Sequence, residues 1–146
     1  YALQQNPNTR IGLAMPWEDF PLQYDNASEH RDLTDRGYNL WMNMAGRLSS
    51  DFNNADVFTF YHGEAMYELR HMYEEGNLSD VSQLMGSSDN SLFTDQKGHA
   101  GQIVIDTGTL LWMAAIHNVD PSSFPEFDDW ETDIRVVAQN ILSQDS

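Results

Sequence analysis

With 146 residues, 40% of them hydrophobic and 21% charged, the chain has the size and composition of one folded domain. A domain of this length buries roughly 70% of its unfolded surface, enough for a core without a disulfide or a structural metal. Seven Lys and Arg against 23 Asp and Glu give a net charge of -16, which excludes direct binding to nucleic-acid backbones and disfavours anionic membranes, and the absence of Cys excludes disulfides, thiolate catalysis and Cys-based metal sites.

The acid is uneven: residues 1 to 50 carry 4 basic and 6 acidic side chains, residues 51 to 100 carry 2 and 9, and residues 101 to 146 carry 1 and 8. The longest apolar run, Leu110 to Ile116, is far short of the roughly 18 residues that span a bilayer, so no membrane insertion is expected. A start at Tyr1 without a basic or apolar leader favours a processed or exported mature chain.

Residues 1–27 hold Pro7, Pro16 and Pro21, and the stretch Met15-Pro16-Trp17-Glu18-Asp19-Phe20-Pro21 has no helical period. It reads as an extended arm whose large side chains, Trp17 and Phe20 above all, pack on the chain's own body or on a partner. From Ser28 the pattern becomes helical. Leu33, Tyr38, Trp41, Met44 or Ala45, and Leu48 recur near 3.6 residues, with Ser28 or Asp32 as cap and Ser49, Ser50 and Asn53 at the end.

A second helix, capped by Asn53 or Asn54, carries Phe58, Tyr61, Ala65, Leu69 and Met72 on one stripe up to Gly76. Asn77 and Gly86 bracket a short third helix with Leu78, Val81, Leu84 and Met85, and 86–99 reads as a loop. The fourth helix, Ile103 to His117, is apolar enough to expect a central, largely surrounded position; its β-branched start at 102–106 also admits a strand. For the fifth, Ser123-Phe124-Pro125-Glu126 matches a capping box, and Phe127, Trp130, Ile134, Val137 and Ile141 step by three and four. The acids from Glu126 to Asp133 then fall at its positive end. The expected fold is an all-α bundle of four to five helices over 28–146, a single helical domain preceded by the extended Pro/aromatic arm of residues 1–27.

G-x-S-x-G, Walker, dinucleotide-binding and H-E-x-x-H signatures are absent. Gly98-His99-Ala100-Gly101 beside Lys97 has the G-x-x-G spacing of a KH clamp but no basic setting, and reads as a loop. On the second helix, Glu64, Glu68, His71 and Glu75 are spaced by four, three and four, so at about 100° per residue they share one face. Glu68-Leu69-Arg70-His71 resembles the Glu-x-x-His ligand pair of ferritin-like di-metal bundles, although the chain carries one such motif where those proteins use two. Glu74 and Glu75 lie in the last turn, where the helix dipole is negative, so a cation is expected there: a metal, Arg70 or a basic partner.

The leading functional expectation is a non-enzymatic acidic helical subunit that mediates protein–protein association, with a protein partner or a second copy, through Trp17, Phe20 and the acid face. The alternative is a helical metalloprotein, in the limit a metal-dependent oxidoreductase. It would hold iron, manganese, copper or zinc on Glu64, Glu68 and His71 with Glu75 or His30. A second alternative is an acidic decoy that occupies a nucleic-acid-binding surface.

Overall fold

Asn26 opens the longest helix, because its side chain accepts the N–H of Glu29 while the Glu29 carboxylate accepts the N–H of Asp25, a reciprocal cap that replaces the expected Ser28 or Asp32. In the computed structural model, which describes residues 1–52 and 55–144, the elements in chain order are α1 (Ala2–Gln5), β1 (Ile11–Ala14), α2 (Ala27–Asp51), β2 (Val57–Phe60), α3 (Glu64–Glu74), β3 (Gln83–Met85), β4 (Ser91–Phe93), α4 (Gln102–His117) and α5 (Ile134–Gln144). The expected caps Asn53 and Asn54 lie outside the described residues.

The chain is mixed α/β, not an all-α bundle: β1 pairs with β2 and β3 with β4, each as a two-stranded parallel sheet. The start of the expected second helix is β2. Val57-Phe58-Thr59-Phe60 is β-branched and aromatic, and its backbone is taken up by Ile11–Ala14. Phe58 and Phe60 point to one face, where Phe60 meets Trp112 of α4 edge-on at 4.8 Å between ring centroids. Thr59 points to the other, its hydroxyl donating to Met42 Sδ of α2 at 3.0 Å. β1–α2–β2 is therefore a crossover unit in which α2 packs on one sheet face, while α4 meets the other through Trp112 on Phe60.

Gly63 separates β2 from α3. A Cβ there would lie 2.6 Å from the Trp17 backbone N, so only glycine lets the arm cross this turn.

The expected third helix is a turn followed by β3, and the expected loop 86–99 contains β4. The first half of α4 is helix from Gln102 on, which settles the strand alternative. The fifth helix begins at Ile134 rather than at the Ser123 box. Phe127 and Trp130 still pack on the core, but from an irregular segment whose Glu131 and Thr132 N–H groups are accepted by the Asp80 carboxylate. The acids from Glu126 to Glu131 thus precede α5 instead of lining its first turn; Asp133 and Glu126 pair with Arg135.

The centre belongs to α3, whose Ala65, Met66 and Leu69 are fully buried against α4 and α5 through residues such as Ile103, Leu110, Ile134 and Ile141. Contrary to the expectation of a surrounded fourth helix, α4 leaves Ile105, Trp112 and Ile116 exposed. Among the described residues no helix is long and apolar enough to cross a membrane.

Candidate active site

The Glu/His stripe forms on α3, along a cleft whose wall includes a guanidinium. Glu64, Glu68 and His71 line a 190 Å³ hollow against the start of α2, and Arg31 enters it with Nη1 2.8 Å from Glu64 Oε1. Glu64 is buried, so it takes a fixed cation from the protein itself. His71 and Glu75 pair with each other at the surface, 3.4 Å apart. His30 lies elsewhere, inside the fold. Among the described residues no group of three or more His, Cys, Asp or Glu is placed to hold a metal ion, which corrects the expected metal-binding character of this stripe.

The cation expected near Glu74 is Arg70. It is 2% exposed and donates to Glu74 Oε1 at 2.7 Å, to the carbonyls of Pro21 and Tyr24 at 3.0 and 2.9 Å, and to His30 Nδ1 at 3.2 Å. Because Arg70 can only donate, Nδ1 of His30 is an acceptor and its Nε2–H donates to the Glu18 carbonyl at 2.8 Å. Burial, first of all, pushes the His30 pKa below its ordinary value. Tyr24 stacks on its ring and Tyr67 meets it edge-on.

This network ties the N-terminal segment to α3. Met15 is fully buried and its carbonyl accepts from Gly63. The Glu18 N–H donates to the Tyr67 hydroxyl, which also shares a 2.7 Å hydrogen bond with Thr34. Burial is the first cause of the raised Tyr67 pKa. Trp17 and Phe20 are thereby carried to the loop between β4 and α4: Trp17 Nε1 donates to the Gly98 carbonyl and the Phe20 N–H to the Lys97 carbonyl, both at 2.9 Å. Phe20 is held left-handed, at φ 60° and ψ 57°, a conformation that costs a non-glycine residue about 1–3 kcal/mol.

That loop carries a group the sequence reading passed over. Asp95 Oδ2 lies 2.5 Å from His99 Nδ1, and Asp95 Oδ1 accepts the N–H groups of Gly98 and His99 at 3.0 and 3.2 Å. The hydrogen bond from the His99 ring, and then the one from its backbone, hold the Asp95 carboxyl below the usual carboxylate range. An ionised Asp95 accepts from Nδ1–H, so Nε2 is the ring nitrogen that Asp95 does not hold, on a side chain that is 66% exposed. The four-residue turn closes at Gly98, φ +99°, where glycine is needed both for that φ and because a Cβ would press on Pro21.

The loop stands at the carboxyl end of the β1–β2 sheet, since Trp17, bonded to Gly98, follows β1 by three residues, and His62, 5.5 Å from the Trp17 ring, follows β2 by two. In open parallel sheets ligands bind at this end. Among the described residues, no hydroxyl is hydrogen-bonded to the His99 ring. The signal in the sequence was Asp95-x-x-x-His99 around a glycine, masked there by the G-x-x-G reading of the same residues.

No family model, no curated protein and no solved structure matches this chain. Its site is read from its own residues.

Proposed function

We propose that Asp95 and His99 form the general-base pair of a hydrolytic site at the carboxyl end of the parallel sheet. The observation that carries this reading is the hydrogen bond between Asp95 Oδ2 and His99 Nδ1, made by an imidazole side chain that is 66% exposed. A carboxylate on Nδ1 fixes the tautomer and stabilises the imidazolium that forms when Nε2 takes a proton from an attacking hydroxyl. The attacking hydroxyl is that of water brought to Nε2; its oxygen adds to an ester-type carbonyl, the tetrahedral adduct breaks its bond to the alkoxide, and the imidazolium returns the proton to that leaving alkoxide. Hydrolysis of a panel of p-nitrophenyl esters by the intact chain tests it. His99→Asn should lower the rate by about 10²-fold or more, the usual range for general-base catalysis, and Asp95→Asn by a comparable amount. Equal rates in all three proteins reject the reading.

A second reading, protein association, is favoured by the open sheet. Parallel sheets are ordinarily wider than two strands and covered on both faces. Here Ile11 and Met15 bond towards β2, so the peptide groups of Gly12 and Ala14 face outward from β1. On α2, Leu33, Leu40 and Met44 share an exposed stripe, with Leu40 at 72%. In this reading added polypeptide covers these surfaces. Sedimentation of the wild type and of Leu40→Glu tests it: a concentration-dependent association that the variant abolishes supports it, and a monomer at every concentration rejects it.

A further inference from the structure

We propose that the segment Trp17–Pro21 is a strap that positions the Asp95–His99 pair, with Trp17 as the positioning residue; this rests on the reading of that pair as a general base. The two peptide carbonyls immediately before His99, those of Lys97 and Gly98, are both taken by donors from the strap, the Phe20 N–H and the Trp17 indole. On its other side the His99 carbonyl accepts from the Thr94 N–H and hydroxyl at 2.8 and 3.2 Å. The backbone of His99 is therefore clamped from both directions, and Asp95 then fixes the ring.

The contact is close enough to transmit small displacements. A Cβ on Gly98 would come within 2.8 Å of Pro21 Cδ and 3.7 Å of Trp17 Nε1, so strap and loop interlock without an intervening side chain. The strap cannot drift, because its ends are anchored on β2 and α3. The Met15 N–H bonds to the Phe60 carbonyl, Glu18 is held by Tyr67 and His30, and the Pro21 carbonyl is held by Arg70.

Phe20 supplies an independent sign of function. Its left-handed backbone is unfavourable, yet the residue remains 47% exposed, so burial does not offset the strain. What the conformation secures is the turn that points the Phe20 N–H at the Lys97 carbonyl. Strain that serves a contact beside a reactive pair, rather than the core, marks a positioning element.

Trp17→Phe tests this, since it keeps an aromatic ring and removes the indole donor. The readout is the ¹⁵N spectrum of the His99 imidazole. The wild type should show Nδ1 protonated and Nε2 bare with a hydrogen-bonded Nδ1 proton; the variant should show mixed tautomers and loss of that proton signal, with its unfolding midpoint close to wild type. In the ester assay kcat should fall about 10- to 100-fold with KM unchanged, the scale expected for a displacement of about 1 Å. An unchanged imidazole spectrum overturns the proposal.

Should Trp17→Phe fail to fold, Asp95→Asn decides. Coupling between strap and pair is reciprocal, so breaking the pair should speed exchange of the Trp17 indole N–H by about tenfold, and an unchanged rate overturns the proposal. If these spectra behave as expected while His99→Asn leaves ester hydrolysis intact, the strap stands and the hydrolytic reading falls; the converse result removes the strap alone.

Discussion

Replacing Arg70 by Met should be among the most damaging single changes in this protein. The side chain is 2% exposed, and its guanidinium serves four acceptors: one carboxylate, two peptide carbonyls and one imidazole nitrogen. Met restores most of the volume, so the loss is electrostatic and hydrogen-bonding rather than a cavity. Removing one partner of a buried ion pair costs about 3–5 kcal/mol, and each buried acceptor left without a donor about 1–3 kcal/mol. Glu74 is 27% exposed and regains some water, which keeps the total near that of the ion pair alone, about 3–5 kcal/mol. Arg70→Lys keeps the charge but reaches fewer acceptors from a single nitrogen, and should lose about half as much. With a urea m-value of about 1.5 kcal/mol/M, the Met variant should unfold about 2–3 M earlier, read by tryptophan fluorescence. A midpoint within about 0.3 M of wild type, or identical behaviour of Lys and Met variants, would refute the assignment of Arg70 as the anchor of the N-terminal segment.

Acid should act in two windows. His30 and His62 have folded pKa values lowered chiefly by burial, so the unfolded chain binds more protons. Stability is full above about pH 6.5 and declines below it, by at most about 1.4 kcal/mol per pH unit for each group. Facing His30 are Arg70, Glu74, Tyr24 and Tyr67; His30→Gln can keep its donor and acceptor and should flatten the slope by about half in urea titrations between pH 6.5 and 5. Asp95, Asp120 and Asp133 are lowered first of all by hydrogen bonds, and at Asp80, where burial pulls upward, hydrogen bonds to Thr132 and Glu131 outweigh it; the contribution of all four persists until the pH falls below the ordinary carboxylate value of 3.8. The double change Glu68→Gln with His71→Gln should shift stability by no more than about 0.5 kcal/mol, with or without a chelator; a loss above about 2 kcal/mol that chelator removes would restore the metal site. Gly101→Ala should destabilise by about 1–3 kcal/mol in thermal or urea unfolding, because the new Cβ would fall 1.9 Å from the Ser91 carbonyl oxygen; a neutral result would mean that β4 and α4 do not meet as closely as described.

Helical periodicity was legible wherever a helix supplies its own hydrogen bonds, whereas the caps were not: Asn26 opens α2 in place of Ser28 or Asp32, and α5 starts well after the Ser123 box. α2 and α4 lie where the 3.6-residue stripes put them, and Leu69 and Met72 keep their places on α3. The errors fall on residues whose backbone partners come from elsewhere. Phe58, Tyr61 and Ala65 fit a helical stripe, yet Phe58 is in a strand because Ile11–Ala14 takes its peptide groups, and a four-residue strand is too short for alternation to outweigh that stripe. Phe127 and Trp130 fit the stripe of a fifth helix, yet Asp80, far back in the chain, accepts the N–H groups that a helix would have used.

The candidate site divides in the same way. The Glu64, Glu68, His71 spacing predicted a shared face correctly, but spacing could not show that Arg31, from another helix, lines the same cleft and pairs with Glu64. Asp95 and His99 were equally visible as a four-residue pair; their meaning depends on the Gly98 turn and on Trp17 and Phe20 arriving from the far end of the sequence. What local chemistry decides could thus be read residue by residue: the acidity, the absence of thiol chemistry, the helical stripes and the residues able to pair within one turn. Only the tertiary structure decided which peptide groups join into sheets and which charges neutralise one another. It also decided which segment holds the Asp95–His99 turn, because each of these depends on a partner whose distance along the chain has no bearing on its distance in space.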